Sequence, residues 1–340
     1  MEFFAQYAGF LLRTVTVVVA IVMVLLVIAA LRSKGRGPRH GHLQVHKLND
    51  VYQSLRERLE QAVLDKHSLK IQRKAEAKHA KQAKKDAAKK PRVFVLDFDG
   101  DIKASATDNL RHEITALLSM ATANDEVVLR LESGGGMVHS YGLASSQLVR
   151  IRDAGIPLTV CVDKVAASGG YMMACIADRI VAAPFAVLGS IGVVAQIPNF
   201  HRLLRKNDID VELMTAGEYK RTLTVLGENT EAGRRKFQED LDETHGLFKG
   251  FVQQWRPQVD IERVGTGEHW YGQRAVELNL VDALRTSDDY LRARARDAEL
   301  YALHWRNRRS IGQRLGLAFE GAADRLLLRW WQRSLHEPRF

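Results

Sequence analysis

Cysteine is scarce in this chain, with two residues in 340. Both, Cys161 and Cys175, sit in apolar stretches, and neither belongs to a Cys-x-x-Cys or related metal spacing. The expectation is two reduced, buried thiols, with a single Cys161–Cys175 disulfide as the alternative, so cysteine usage leaves the compartment undecided. Other signatures are absent too. There is no Gly-x-Ser-x-Gly elbow of the α/β-hydrolase kind. No phosphate loop ending in Gly-Lys-Ser/Thr occurs, and no ATPase motif, which disfavours nucleotide-driven unfolding of substrates. No internal repeat is visible. Nothing in the sequence calls for a cofactor or a metal.

Charge is missing from one stretch in particular. "TVTVVVAIVMVLLVIAAL", Thr14 to Leu31, runs without a charged side chain. About 20 apolar residues are what the hydrocarbon core of a bilayer requires, and a cleaved signal peptide has a shorter apolar region followed by a small-x-small site. Here "RSKGRGPRH" follows instead. The segment therefore reads as a retained single membrane span, with membrane lipid as its partner. Arg13 lies on one side of it and Arg32, Lys34, Arg36 and Arg39 on the other, so the positive-inside rule puts the bulk of the chain in the cytoplasm.

Overall the chain is basic, at +10 with a pI near 9.6. That excess belongs to one segment. Arg32–Arg92 holds 18 Lys/Arg against 6 Asp/Glu, which leaves 32 basic and 34 acidic residues elsewhere. The main domain is close to neutral. Within the basic segment, Leu48, Val51, Tyr52, Leu55 and Leu59 recur at helical spacing. "KAEAKHAKQAKKDAAKK", Lys74 to Lys90, has good helix formers but no apolar stripe and no aromatics. It reads as a solvated spacer touching lipid headgroups rather than as a nucleic-acid site.

From Pro91 the texture changes. "RVFVLDFDGDI", "EVVLRLES", "PLTVCVD", "RIVAAP" and "DVELMTAG" read as strands, and 108–121 and Val138–Asp153 read as helices. Strands alternating with helices predict an α/β fold with a mainly parallel sheet. The expected organisation is a transmembrane anchor at 1–31, a basic helical spacer at 32–91, a catalytic domain at 92–285 and a helical basic and aromatic tail at 286–340.

Three features carry chemistry. In "VDKVAASGGYMMA" Ser168 stands between a strand-like segment and a buried helix. It is either the cap of that helix or a nucleophile at a helix N-terminus. His139, His245 and His269 are candidate bases, but each lies among polar helix formers. Lysine is the other base able to arm a serine, provided burial keeps it neutral. Lys220 in "TAGEYKRTL" follows a strand-like segment, although Glu218 and Arg221 flank it. "ESGGGM", Glu132 to Met137, ends a strand with three glycines whose amides are able to face an oxyanion.

"LRLESGGGMVHSYGLA", "VDKVAASGGYMMACIADRIVAAPFAVLGSIGVV" and "TAGEYKRTLTVLGENTEAG", in that order, resemble the signal peptide peptidase A family of membrane serine proteases. The resemblance covers nearly the whole chain and is nearest to inner-membrane members with one catalytic unit. It implies a crotonase- or ClpP-like α/β spiral. It also implies a Ser-Lys dyad: Ser168 attacks a peptide carbonyl, and Lys220 takes the proton and then protonates the leaving amine. The implied oxyanion donors are the amides of Gly135 and Gly169. Homo-oligomers are implied, in which the dyad is completed within one chain or between chains, as is residence in the bacterial inner membrane with peptide or protein substrates. One position departs from the family pattern: Gly134 stands where the family has proline, which loosens that turn. The family places its catalytic domain outside the cytoplasm, opposite to the charge rule. Two other functions compete. One is a crotonase-fold acyl-CoA hydratase or thioesterase, which needs an acidic base such as Glu132 near the glycines. The other is a non-catalytic quality-control scaffold at the membrane.

Overall fold

The longest strands of this protein are apolar on both faces, and that property dictates the architecture. The computed structural model describes residues 13–18, 41–65, 67–70 and 90–307. In chain order the elements are β1 (His42–Lys47), α1 (Leu48–Val63), β2 (Arg92–Gly100), α2 (Thr107–Leu118), β3 (Glu126–Ser133), α3 (Val138–Asp153), β4 (Leu158–Val162), β5 (Val165–Ala167), α4 (Gly169–Ala174), β6 (Arg179–Ala182), β7 (Val187–Gly189), α5 (His201–Lys206), α6 (Glu231–Trp255), α7 (Ile261–Val264), β8 (His269–Tyr271), α8 (Gly272–Glu277), β9 (Ala283–Leu284), α9 (Ser287–Arg294) and β10 (Glu299–Arg306).

In β2, Phe94, Leu96 and Phe98 enter one apolar cluster while Val93 and Val95 enter another. Successive side chains of a strand point to opposite faces, so a continuous apolar run means that both faces are covered. β3 repeats this, with Val127, Leu129 and Leu131 on the first side and Val128 on the second. α2, α3 and α4 bury Leu110, Ile114, Tyr141, Leu148 and Met173 against the first face. Tyr290 and Leu291 of α9, with Leu48 and Tyr52 of α1, cover the second.

The sheet runs in the order β1-β10-β2-β3-β4-β6-β9. The pairings from β10 to β9 are parallel. A branch leaves it at β3: β5 pairs with β3 and with β7 in parallel, and β7 pairs with β8 antiparallel. This branch positions the site described below.

Several expectations need correction. The compact unit runs from Leu43 to Trp305, so the expected boundaries at 92 and 285 both fall inside it. α1 belongs to the domain through Leu48 and Tyr52, and β10 lies between β1 and β2 instead of opening a separate tail. "DVELMTAG" forms no strand; residues 209–215 carry no regular structure, because exposed Asp210, Glu212 and Met214 find no partner strand. Cys161 and Cys175 are free and buried. Burial raises the Cys161 thiol to about 12 and pushes that of Cys175 up as well, which keeps both unreactive. No described helix is long and apolar enough to cross a membrane. The expected span is described only as far as residue 18, and its remainder, the spacer from 71 to 89 and the tail from 308 lie outside the described residues.

Candidate active site

Strand register brings the serine to the glycine turn. Ala166 of β5 pairs with Ser133 of β3, and the strands are parallel, so two residues further along Ser168 arrives beside Gly135. On its other side Ala167 pairs with Gly189, and the Ser168 amide donates to the Gly189 carbonyl at 2.8 Å. The Ser168 carbonyl accepts from the Met172 amide at 3.0 Å, the first turn of α4. Held from both sides, Ser168 adopts φ 52° and ψ −120°. A β-carbon-bearing residue pays about 1–3 kcal/mol for such a backbone, and residues held this way cluster at functional sites. The helix-cap reading of Ser168 fails here, since its side chain makes no capping hydrogen bond. The hydroxyl is left on a partly exposed residue at the mouth of a buried six-residue helix.

Two glycines are required by close approach. Gly135 has φ +88°, and a β-carbon on it would come within 2.7 Å of the Gly169 nitrogen and of the Ser168 β-carbon. A β-carbon on Gly169 would lie 2.4 Å from Cγ of Tyr141. Ser168 and Gly169 line a small pocket with Gly136, Val138, Met172 and Phe248. The Gly135 amide, expected as an oxyanion donor, is here given to Ser133 Oγ at 3.1 Å, and it is Gly136 that lines the pocket.

The structure therefore brings together Ser168, Gly169 and the Gly135 turn. Lys220 stands apart from them. It is exposed, it does not line this pocket, and its amide closes a local turn onto the Gly217 carbonyl at 3.2 Å. Its surroundings, residues 190–230, contain only the short helix α5. They expose Val194, Phe200, Leu203, Leu213, Met214 and Tyr219.

The remaining candidates fall elsewhere. His139 and His269 are exposed, and His245 meets the Ile191 carbonyl at 3.1 Å. Glu132 points to the face of β3 opposite Ser133 and pairs with Lys164 at 2.9 Å, away from the glycine turn. An acidic base for acyl-CoA chemistry is thus not where that chemistry would need it. Among the described residues no group of three His, Cys, Asp or Glu side chains is placed to hold a metal ion.

Sequence reasoning missed Tyr141 and Arg256. Tyr141 is fully buried in α3 beneath Gly169. Arg256, 1% exposed after the end of α6, holds both carboxylate oxygens of Asp282 at 3.0 Å and the Asn279 carbonyl at 3.0 Å. Alongside it Tyr171 of α4 donates to the Leu280 carbonyl at 2.9 Å. "SYGLA" gave a helical-face signal for Tyr141; a lone arginine at a helix end gave none.

A family model described as Peptidase family S49 N-terminal matches residues 2–148, and one described as Peptidase family S49 matches residues 150–301. The chain is 48% identical over 336 residues to the "Probable protease SohB" of Haemophilus influenzae, covering 95% of each chain. It is 47% identical over 306 residues to the protein of that same name from Buchnera aphidicola subsp. Schlechtendalia chinensis, covering 86% of this chain and 100% of the relative. Among solved structures, the 1510-N membrane-bound stomatin-specific protease in complex with a substrate peptide is 14% identical, with a TM-score of 0.40, covering 66% of this chain and 96% of that one.

Proposed function

The chain belongs to peptidase family S49, and from that premise we propose that it is a membrane-anchored serine endopeptidase, working without ATP through Ser168 and Lys220. The anchor is the apolar segment Thr14–Leu31, and the site of action is the bacterial inner membrane. Substrates are unfolded or membrane-derived peptides, since the chain has no ATPase motif to open folded ones. The domain adopts the crotonase- or ClpP-like spiral, a reading supported by the parallel sheet that branches at β3.

The observation that carries this reading is the Ser168 backbone: strained, excused from capping, and set beside a glycine turn and a helix amide. Ser168 Oγ attacks the scissile carbonyl. The oxyanion is received by the Gly169 amide and by the Gly135 turn, whose Gly135 N–H has to be shared with or released from Ser133 Oγ to serve as the second donor. Lys220 removes the serine proton and returns it to the leaving amine. An ammonium exposed to water holds its proton, so Lys220 has to be covered to act as a base. The covering surface belongs to a neighbouring copy. Lys220 lies outside its own chain's pocket, on a segment whose exposed Val194, Leu213 and Met214 fit burial against a second copy. The dyad then forms between protomers of a homo-oligomer.

The test is hydrolysis of a denatured protein by the full chain in detergent or vesicles. Ser168→Ala and Lys220→Ala are each expected to abolish it with the fold intact. Turnover persisting in both variants rejects the dyad.

A further inference from the structure

One side chain reaches both halves of the proposed oxyanion hole, Gly169 directly and Gly135 through Ser133. Tyr141, fully buried, places its ring under Gly169, so close that a β-carbon there would meet its Cγ at 2.4 Å. Its hydroxyl donates to the Asp101 carbonyl at 2.8 Å. That hydroxyl also lies 2.5 Å from Ser133 Oγ. Its single proton is committed to Asp101, so Ser133 is the donor in the second contact. Ser133 Oγ in turn accepts the Gly135 amide at 3.1 Å. The result is a one-way chain: Gly135 N–H to Ser133 hydroxyl, Ser133 hydroxyl to Tyr141 hydroxyl, and Tyr141 hydroxyl to the Asp101 carbonyl. Every link is at hydrogen-bond distance, and both hydroxyl-bearing residues are at most 2% exposed.

This chain sits where the backbone most needs it. Ser133 is followed by three glycines, the residues with the greatest conformational freedom. Gly135 holds φ +88°, and Ser168 and Gly169 lie so near that no β-carbon fits on it. The far end of the turn is held by the Met137 amide, which donates to the Ile102 carbonyl at 2.8 Å, and by Gly136 packed on Ile102; the Ser133 hydroxyl is the tie on the Gly135 amide itself.

We infer that Tyr141 is a positioning residue for the oxyanion hole, setting the Gly135 turn through the Ser133 hydroxyl and the Gly169 amide through its ring. The inference rests on the peptidase reading for its catalytic consequence. It does not rest on that reading for the geometry itself.

Two variants separate position from packing. Tyr141→Phe keeps the ring under Gly169 and removes the hydroxyl; Ser133→Ala removes the middle link. Each is expected to lower kcat about 10- to 100-fold with KM within about twofold, the range for a small misplacement of a catalytic group. A peptide aldehyde, which mimics the tetrahedral adduct, is expected to lose affinity by the same factor. Because both act through one chain, the double variant is expected to be no slower than Ser133→Ala alone. Gly134→Pro in the Tyr141→Phe background is expected to restore part of kcat, since a locked φ replaces the missing tether; a β-carbon at 134 meets nothing within 4 Å.

Wild-type kcat in Tyr141→Phe overturns the inference, and so does a double variant whose losses multiply. Amide hydrogen exchange of residues 133–137, measured in the Ser168→Ala protein, decides the geometry without activity. Faster exchange at Gly135 on Tyr141→Phe is expected, and unchanged exchange overturns the inference. If the wild type cleaves nothing and a fluorophosphonate fails to label Ser168, the peptidase reading falls, and the exchange result still decides what Tyr141 does.

Discussion

The serine side and the lysine side of this protein are built on opposite plans. Around Ser168 everything is buried and tied. β5 is pinned between β3 and β7, α4 hides Gly169, Tyr171 and Met173, and two glycines allow backbones to touch. Around Lys220 residues 207–230 form no helix or strand, and Met214 is 86% exposed. Burial within one chain holds Ser168 and the amides beside it in a strained backbone, and it leaves Lys220 exposed. Under the proposed mechanism the two groups draw their rigidity from different sources: the core for Ser168, the surface of a second copy for Lys220.

The sharpest way to break this comparison is to mix the two dead variants. Ser168→Ala and Lys220→Ala are each expected to lose more than about a thousandfold in turnover, as single deletions from a concerted nucleophile and base do. Co-assembled, they are expected to regain measurable hydrolysis, because an intact serine from one copy meets an intact lysine from the other. No regain after mixing and reassembly places both groups in one chain. Lys220→Ala is expected to leave unfolding within about 0.5 kcal/mol of wild type, as an exposed position should.

The tied half answers differently. Removing the Arg256 guanidinium takes away the bonds to the Asn279 carbonyl and to Asp282 at the seam between α6 and the sheet, leaving Asp282 its bond from the Ile180 amide. Arg256→Ala is expected to cost about 1–3 kcal/mol in denaturant melts, the range for losing charge-assisted hydrogen bonds made by a buried side chain to a solvent-reaching carboxylate and a carbonyl. A loss under about 1 kcal/mol would show that the seam is softer than its hydrogen bonds imply.

A pH profile sharpens the contrast further. Glu113 of α2 is 5% exposed and accepts the Trp305 amide at 2.6 Å. Burial, aided by the charge of Asp97 and opposed by the Trp305 amide, raises its carboxyl from 4.5 to about 7. The folded state thus holds this proton where the unfolded chain releases it. Stability from this group is full below about 4.5 and falls as pH rises through about 7, by about 3 kcal/mol in all. Glu113→Gln is expected to flatten that slope in melts between those pH values; an unchanged slope removes Glu113 as its source.

The smallest expected effect lies where the two halves join. Thr230 Oγ1 accepts the Gly233 amide at 3.1 Å and starts α6 directly after the exposed segment. Thr230→Ala is expected to cost about 1 kcal/mol, the usual loss of an N-cap, read by thermal unfolding. A larger loss would mean that the segment leans on that cap.

Legibility in the sequence follows the same divide. "EVVLRLES" is β3 residue for residue, and Val138–Asp153 is α3, because apolar periodicity is a direct record of burial. The turn glycines and Ser168 were found from local pattern, and the register of β5 on β3 brings them together. The short strands β5, β7 and β8 left little trace, since three residues each carry no period. Asp210–Thr215 looked like a strand because alternation alone does not say whether a partner strand exists. Tyr141 and Arg256 were invisible as functional positions, since their work depends on what lies across the core from them. The surroundings of Lys220 were the hardest to read, because an exposed stretch without regular structure carries no period that records its neighbours.

The exposure of Lys220 has a further consequence under the proposed mechanism. A protomer alone would then hold Ser168 with nothing to arm it and so spare its neighbours. Hydrolysis per molecule should then climb with crowding and fade on dilution, which makes abundance itself the safety catch.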